Sequence, residues 1–584
     1  MAFLRNLLAA ILGTLMALGI VFFMFLIFIS LAGSEEPVNI KKHSVLELSF
    51  PYPVNEYAGN DPSDPLAGLF DVSQGLDEIT KAIRLAADDD RIDGISLSGP
   101  YLLAGISQTR AIRQALADFR ESGKFIYAYG DFFMQKDYYL SSVADSIFMN
   151  PAGQVEFKGL AAEVLYFQDF QDKTGVRMEV VRHGKYKSAV EPFLSDSMSE
   201  ENRQQISELL GSIWSSIRGE IAASRGLEET ELDRIADVLL ARTPERAVSS
   251  GLIDGLLYED EYNDLLATAS GADDGDPIQV SLQDYIRATK GKRLYTGESR
   301  IAIIYAQGEI LYGDGGPDFI GQAGMQEVFK RVRDDEDIKA VVLRINSPGG
   351  NALSSEVIWR EITQTRKKKP VVVSLSDVAA SGGYYMAVGG DRILAEPTTI
   401  TGSIGVFATI PNISGLSEKI GVNAEQVGTH DLSVDYSFFE PMSDEFRKVL
   451  RDGIEDTYQT FLQRVADGRG ISLARADSLA QGRVWSGTEA VRLGLVDSLG
   501  GMPEALDTAA ELAGIDSYRT LSLPKYKSGL ERLMEDLGGT GEAAQKAVLK
   551  NQLGDEWAQI LGQIKAQMQR KGIQARLPFT LEIR

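Results

Sequence analysis

The sequence of residues 340–387 is AVVLRINSPGGNALSSEVIWREITQTRKKKPVVVSLSDVAASGGYYMA. Its apolar runs at 340–345 and 370–375 are rich in β-branched residues and have the length of buried strands. The intervening residues 356–368 have the composition of a helix, and a second helix begins at Ser381. Strand, helix, strand and helix in this order predict parallel strands joined by right-handed crossovers, and therefore an α/β fold.

This pattern occurs twice in the chain. When the sequence is displaced along itself, Tyr138 aligns with Tyr384, and Asp145 aligns with Asp391. A chain of 584 residues is also too long for one hydrophobic core. We therefore expect an internal duplication, with one α/β domain in each half.

The expected domain boundaries follow from this duplication. Residues 1–33 are predicted to form an N-terminal cytoplasmic stub and a membrane anchor. The first domain spans 34–290, and the second spans 295–520. The remaining residues, 521–584, are predicted to form a helical tail that carries no chemistry.

The predicted anchor lies at the start of the chain. Residues 7–33 contain no charged side chain. This run is longer than the about 20 residues that suffice to cross a bilayer. It is also longer than the apolar core of a signal peptide. Arg5 precedes it, and Glu35 and Glu36 follow it. Because positive residues stay in the cytoplasm, we expect an uncleaved, single-pass anchor with its N terminus inside and both domains outside.

The composition argues against several classes of function. The net charge of −24 disfavours binding to nucleic acid. The sequence has no cysteine, which removes disulfides, thiol nucleophiles and thiolate metal sites. The three histidines, His43, His183 and His430, are too few for a His-rich metal site. We expect them to be ordinary polar residues.

The two copies differ at polar positions that suit one shared active site. Ser381 of the second copy aligns with Gln135 of the first, and Lys187 of the first copy aligns with Asp431 of the second. Each copy therefore keeps a group that the other lacks. This pattern is expected when one Ser/Lys site is divided between two domains.

Ser381 is the candidate nucleophile. It stands at the first turn of a predicted helix, where backbone N–H groups are unpaired and the helix dipole favours negative charge. Attack by a serine on an acyl group creates an oxyanion, which such donors stabilise. The alternative is a serine that only caps the helix, which is a common role.

Gly350 and Gly382 are the candidate oxyanion donors. Gly350 ends the turn NSPGG at 346–350, directly after a predicted strand. A glycine there can present its N–H to a cleft without an obstructing side chain. The first copy has PYLL at the matching positions 100–103, so the copy that lacks the serine also lacks the glycines. A plain turn is the alternative.

Lys187 is the candidate general base. A lysine accepts a proton only when it is neutral, so its pKa must fall through burial or a nearby positive charge. Lys185 is the rival base, and a surface position is the default for either lysine. Ser403 is a third candidate because its hydroxyl can hold the lysine amine in line. The first copy has Phe157 in its place.

Five motifs occur together and in order in this chain. They are GKYKSAVEPF at 184–193, SPGG at 347–350, ASGGYY at 380–385, TGSIG at 401–405 and GRVWSG at 482–487. In this combination they resemble the signal peptide peptidase A (protease IV) family in its long, tandem-domain form. The resemblance covers nearly the whole chain, including the anchor.

The resemblance implies two tandem ClpP/crotonase-like domains and a Ser/Lys dyad, with Ser381 as nucleophile and Lys187 as base. It implies that Ser403 orients the lysine and that Gly350 and Gly382 supply the oxyanion N–H groups. It also implies a homotetramer at the outer face of the bacterial cytoplasmic membrane, which degrades cleaved signal peptides and other apolar peptides. No metal, nucleotide or organic cofactor is implied.

Two other functions stay open at the level of sequence. Crotonase-like enzymes that act on acyl-CoA share this fold and its glycine-based oxyanion hole. However, CoA is cytoplasmic, whereas both domains are expected outside the cytoplasm. The second alternative is a non-catalytic membrane scaffold of the same fold, and the intact set of serine, lysine and glycines argues against it.

Overall fold

The computed structural model describes residues 2–32, 38–59, 74–99, 102–272, 276–434, 436–526 and 574–576. The chain begins with helix α1 (Ala2–Ala32). Within it, Arg5–Met24 has a mean hydropathy of 2.5, and among the described residues this is the one helix long and apolar enough to cross a membrane. Gly33, the last residue of the predicted anchor, lies outside the described residues.

The first half is built on a six-stranded parallel sheet. The strands of this half are β1 (Ser44–Leu48), β2 (Val54–Asn55), β3 (Gln74–Gly75), β4 (Ile92–Ser98), β5 (Phe125–Phe133), β6 (Ser146–Val155), β7 (Arg177–His183), β8 (Gly255–Leu256) and β9 (Ile278–Ser281). Its helices are α2 (Leu76–Ala87), α3 (Ile106–Arg120), α4 (Gln135–Ser141), α5 (Gln168–Thr174), α6 (Glu200–Arg225), α7 (Glu229–Asp237), α8 (Pro244–Ser249), α9 (Glu259–Ser270) and α10 (Leu282–Ala288), with a 3-10 helix at Ser188–Phe193. The sheet order is β8-β6-β5-β4-β1-β9.

The second half is built on an eight-stranded sheet. The strands that follow β9 are β10 (Ser299–Gln307), β11 (Glu309–Leu311), β12 (Phe319–Gly321), β13 (Ile338–Ser347), β14 (Gly349–Asn351), β15 (Val371–Ala380), β16 (Arg392–Ala395), β17 (Ile400–Gly402), β18 (Val406–Asn412), β19 (Val484–Ser486), β20 (Ser498–Leu499), β21 (Tyr518–Leu523) and β22 (Gln574–Arg576). The helices are α11 (Gln322–Asp334), α12 (Ala352–Arg366), α13 (Gly382–Ala387), α14 (Ser414–Ile420), α15 (Asp444–Arg469), α16 (Leu473–Leu479), α17 (Gly487–Leu493) and α18 (Met502–Ala513). The sheet order is β19-β17-β15-β13-β10-β21; in addition, β16 pairs with β15, and β20 pairs with β16.

The predicted parallel α/β architecture and its duplication are confirmed. The sheet neighbours β1, β4 and β5 of the first half recur as β10, β13 and β15 in the second. The long helices α6 and α15 each have 26 residues and matching ends. Ser199 and Ser443 cap their N termini by accepting a backbone N–H, and Gly226 and Gly470 end them in the left-handed conformation.

A third sheet joins the two halves. Its order is β12-β11-β14-β22-β18-β7, so a strand of the first half lies at its edge. Strands β7 and β18 are antiparallel, with His183 opposite Val406 and Arg177 opposite Asn412. Because the chain leaves β7 at His183, this register brings the following residues, including Lys187, beside the segment that precedes β18.

Buried charges also join the halves. Arg344 is 2% exposed, and its Nε donates to Glu56 Oε2 at 2.7 Å. Nearby, the carboxylate of Asp377 accepts the N–H of Ser107 at 2.7 Å. Burial, with a contribution from Glu56, raises the pKa of Asp377 to about 6. Because a buried charge without its partner is costly, these pairs fix how the halves meet.

Residues 521–526 and 574–576 are the described parts of the predicted helical tail. Residues 521–523 end strand β21, which pairs with β10, and 574–576 form β22. These residues are extended because neighbouring strands supply the backbone partners that a helix supplies internally. The helices predicted for the rest of the tail lie outside the described residues.

Candidate active site

Ser381 stands at a sharp turn between strand β15 and helix α13. Its φ of 54° lies in the left-handed region, which is strained for a residue with a side chain. Its N–H donates to Gly402 O at 2.8 Å, which holds the turn against β17. The hydroxyl makes no capping hydrogen bond to α13. The turn therefore leaves the hydroxyl available to other groups rather than to the helix.

Lys187 meets two serine side chains from the other half of the chain. Its Nζ lies 2.9 Å from Ser381 Oγ and 2.9 Å from Ser403 Oγ. The carbonyl oxygen of Ser403 lies 3.0 Å from the same atom. The structure thus brings together, within one chain, the predicted nucleophile, base and orienting serine. An amine and a hydroxyl at this distance can exchange a proton.

The surroundings of Lys187 favour a neutral amine. The residue is 0% exposed, and burial lowers the pKa of Lys187 well below its usual value. The ring of Phe407 is centred 5.9 Å from Nζ, and no acidic side chain of the described residues forms an ion pair with the amine. Lys185, the rival base, is exposed and lies over the ring of Tyr186.

Two glycines make room for the aliphatic part of Lys187. A Cβ on Gly482, whose φ is 79°, would lie 2.6 Å from the Cβ and backbone N of Lys187. A Cβ on Gly405 would lie 3.3 Å from the lysine Cδ. Next to Gly482, the carbonyl of Gln481 accepts the N–H of Tyr186 at 2.9 Å. Sequence reasoning missed this role, although GRVWSG begins at Gly482.

The glycine turn that carries Gly350 packs against the start of α13, which carries Gly382. A Cβ on Gly349, whose φ is 98°, would lie 2.8 Å from Gly382 N, so the glycine turn packs directly against the start of α13. Gly350 has a φ of 155°, and a Cβ there would lie 2.1 Å from Ile310 O. Neither turn residue can carry a side chain without displacing backbone. The close approach places the turn beside the N–H of Gly382.

The matching positions of the first half are occupied by groups without this chemistry. Gln135, aligned with Ser381, accepts the N–H groups of Lys158 and Gly159 at 2.8 and 2.7 Å. Phe157, aligned with Ser403, is 2% exposed and packs edge-on against Tyr138. In the first half, the positions that match the candidate site are therefore occupied by a packed aromatic ring and by an amide that accepts backbone hydrogen bonds.

The remaining aligned positions lie elsewhere. Asp431, aligned with Lys187, is exposed in a turn, and residues 100–101, aligned near the glycine turn, lie outside the described residues. His183 pairs with Glu455, and His43 pairs with Asp93. Among the described residues, no group of His, Asp or Glu has the arrangement of a metal site.

Known proteins resemble this chain over most of its length. Peptidase family S49 matches it twice, at residues 118–273 and 363–516. Protease 4 of Haemophilus influenzae is 34% identical over 446 residues, which are 74% of this chain and 72% of that protein. Protease 4 of Salmonella typhi is 34% identical over 503 residues, which are 84% of this chain and 81% of that protein.

The matches also include a plant relative and a solved structure. The chloroplastic serine protease SPPA of Arabidopsis thaliana is 32% identical over 490 residues, which are 82% of this chain and 72% of that protein. A ClpP1 mutant from Listeria monocytogenes aligns with a TM-score of 0.24 and 16% identity, over 35% of this chain and 94% of that chain.

The family match in both halves agrees with the duplication seen in the sheets. The relatives favour a peptidase over the acyl-CoA enzyme and the scaffold. The chain belongs to peptidase family S49, and it is a serine peptidase.

Proposed function

We propose that Ser381 and Lys187 form the catalytic dyad of this serine peptidase. The observation that carries the proposal is the distance of 2.9 Å between Ser381 Oγ and Lys187 Nζ, in a site where both side chains are fully buried. Neutral Lys187 accepts the proton of the hydroxyl, and the oxygen attacks the peptide carbonyl carbon. The N–H groups of Gly350 and Gly382 hold the resulting oxyanion.

Lys187 acts in both acylation and deacylation. When the tetrahedral intermediate collapses, the C–N bond breaks and Lys187 returns its proton to the leaving amine. The neutral amine then takes a proton from water, which attacks the acyl-enzyme and releases Ser381 with its proton restored. The hydroxyl and carbonyl of Ser403 keep Nζ directed at Ser381 throughout.

The proposed substrates are cleaved signal peptides and other apolar peptides. Helix α1, with its mean hydropathy of 2.5 over Arg5–Met24, supports an anchor that holds both halves at the outer face of the bacterial cytoplasmic membrane. Signal peptides carry an apolar core and enter that membrane. An enzyme tethered to the same bilayer meets them at a high effective concentration.

A homotetramer is part of this proposal. Large apolar side chains are exposed from the end of α14 to the first turns of α15, including Ile420, Val427 and Val449, which are 66%, 96% and 53% exposed. Exposed apolar surface of this kind is typical of contacts between subunits. Chemical cross-linking in detergent is expected to stop at four chains; a monomer at all concentrations would contradict this part.

The test of the dyad is hydrolysis of a fluorogenic apolar peptide by the full chain, purified in detergent. Ser381→Ala and Lys187→Ala are each expected to lose about 10³-fold or more of kcat, with unchanged circular dichroism. Lys185→Ala is the matched control, because that lysine is exposed and is expected to leave the rate unchanged. Activity that survives Lys187→Ala would contradict the dyad. A synthetic signal peptide, compared with a polar peptide of equal length, tests the substrate class.

A further inference from the structure

Residues 481–483, the bridging turn, provide the backbone surface on which the lysine segment rests. The carbonyl of Gln481 accepts the N–H of Tyr186 at 2.9 Å. A Cβ on Gly184, whose φ is 103°, would lie 2.6 Å from the carbonyl carbon and oxygen of Gln481. Lys187 directly follows Tyr186 in the chain. The carbonyl of Gln481 therefore helps to decide where the lysine lies.

The bridging turn also holds the serine that contacts the amine. The N–H of Gly482 donates to Ile404 O at 2.8 Å, and the N–H of Ser403 donates to Arg483 O at 2.7 Å. The turn is thus bonded both to the lysine segment of the first half and to the Ser403 turn of the second. A shift of the bridging turn would change the distance between Lys187 and these serine contacts.

Gln481 has an unfavourable backbone conformation that its own side chain supports. Its φ of 53° lies in the left-handed region. Its Nε2 donates to Asp477 Oδ1 at 2.6 Å and to Tyr458 OH at 3.2 Å. Tyr458 OH in turn donates to Asp477 Oδ1 at 2.6 Å. Such a conformation persists only when the surrounding structure imposes it, and this closed set of three hydrogen bonds does so.

Tyr458 is itself held by a residue of the first half. It is 1% exposed, and its ring stacks on the imidazole of His183 with the ring centres 3.9 Å apart. His183 Nδ1 pairs with Glu455 Oε2 at 2.7 Å, and Glu455 lies on the same helix, α15, as Tyr458. His183 ends β7, directly before the lysine segment. The stack therefore joins α15 to the strand from which that segment starts.

We infer that Gln481 is a positioning residue, which sets the place of Lys187 relative to Ser381 through the backbone of the bridging turn. Tyr458 and Asp477 hold Gln481 in its left-handed conformation. The inference rests on the proposed dyad. A catalytic group must be held within about 0.5 Å of its productive position, and a displacement of about 1 Å can cost about 100-fold in rate.

The test is hydrolysis of the fluorogenic apolar peptide by the full chain in detergent, with kcat, KM and the pH profile of kcat/KM measured for each variant. Gln481→Ala removes the amide and keeps the backbone groups. We expect kcat to fall about 10- to 100-fold with little change in KM, because the amine is displaced. We also expect the rise of kcat/KM to move to higher pH, since a loosened lysine segment is better hydrated and the pKa of Lys187 returns toward 10.5.

Substitutions at Asp477 test the hydrogen bonds that hold the turn. Asp477→Ala is expected to match Gln481→Ala, whereas Asp477→Asn keeps an acceptor oxygen and is expected to retain most of the activity. The double variant Gln481→Ala/Asp477→Ala is expected to lose no more than either single variant, because the two residues act as one unit.

Two controls separate positioning from stability. Gln463 also donates to an aspartate four residues away at 2.6 Å, Asp467, but at the exposed surface of α15, so Gln463→Ala is expected to leave kcat and the pH profile unchanged. Tyr138→Phe removes a buried hydroxyl that donates to Leu252 O, and it is expected to lower Tm without moving the pH profile.

The outcomes distinguish the positioning role from the dyad. Unchanged kcat and pH profile in Gln481→Ala, with Lys187→Ala inactive, would overturn the inference and leave the dyad intact. A lower Tm with an unmoved pH profile in Gln481→Ala would show a purely structural role and would also overturn it. Activity in Lys187→Ala would overturn the dyad and the inference together. If Gln481→Ala does not fold, equal activities of Asp477→Ala and Asp477→Asn would overturn the inference.

Discussion

Ser381 and Ser403 have nearly the same unusual backbone conformation, with φ of 54° and 51°, and each places its Oγ 2.9 Å from Lys187 Nζ. A left-handed conformation costs a residue with a side chain about 1–3 kcal/mol of conformational free energy. Two such residues around one amine are therefore energetically unfavourable unless the surrounding structure holds them. Hydrogen bonds from each N–H hold both turns, to Gly402 O and to Arg483 O. The two turns thus fix the two hydroxyl groups that contact the amine.

Ser403→Ala tests whether the second serine positions the amine. The substitution keeps the carbonyl contact but removes the hydroxyl contact to the ammonium that forms when Lys187 takes the proton. We therefore expect kcat to fall about 10- to 100-fold, as for one hydrogen bond to a charged group. KM is expected to change much less, since the serine does not bind substrate. Ser270→Ala, at a buried serine of α9 bonded only within its own helix, is the control. An unchanged kcat in Ser403→Ala would remove the positioning role.

The activity is expected to depend on pH through Lys187. Because burial lowers the pKa of Lys187, the neutral base becomes populated at a lower pH than for an exposed lysine. A plot of kcat/KM is therefore expected to rise with pH and to level off well before the ordinary lysine pKa of 10.5. Lys187→Arg is expected to be inactive throughout, because a guanidinium does not lose its proton. A rise that continues to 10.5 would show that another group limits the rate.

The same lysine makes stability depend on pH. Between the lowered folded pKa of Lys187 and its unfolded value of 10.5, the unfolded chain binds the extra proton. The contribution of Lys187 to the free energy of unfolding is therefore unfavourable at neutral pH and becomes less so as pH rises. Relative to the wild type, Lys187→Met is expected to gain most Tm near pH 7 and progressively less toward pH 10. A Tm difference that does not vary with pH would contradict the buried neutral amine.

Alanine substitutions at Gly482 and Gly494 distinguish the effect of backbone strain from the effect of lost space around Lys187. Their φ angles are 79° and 80°, but a Cβ on Gly482 would meet Lys187 at 2.6 Å, whereas Gly494 has open space. Both Ala variants are expected to lose about 1 kcal/mol of stability from the left-handed backbone. Only Gly482→Ala is expected to lose activity, by about tenfold or more, because the lysine must move. Equal activities in the two variants would show that the lysine tolerates displacement.

The strands and residues of the candidate active site could be predicted from the sequence better than the contacts that join the two halves of the chain. The β-branched runs at 340–345 and 370–375 predict strands because buried parallel strands need that composition, and the structure has β13 and β15 there. The pairing of Lys187 with Ser381 followed from aligning two copies that differ at complementary positions. Periodicity cannot show which distant strands meet, so the sheet formed by β7, β18 and β22 was not predicted.

Two buried features were also beyond the sequence. The pair of Arg344 and Glu56 joins residues far apart in the chain, and charged residues of this kind are usually exposed, so nothing local marks them as buried. Residues 574–576 lie in a segment whose composition favours a helix, yet they are extended because two strand edges supply their partners. Tertiary contacts decided both cases.

The antiparallel pairing of β7 with β18 has a consequence for biogenesis. Lys187 is synthesised long before Ser381, and the strand that fixes its position does not end until Asn412. On the proposed dyad, a chain that is still being made therefore carries the base without its nucleophile, and Gln135 and Phe157 occupy the matching positions of its first half. On the proposed dyad, proteolytic activity is expected to begin only after the second half has been synthesised and β18 has paired with β7.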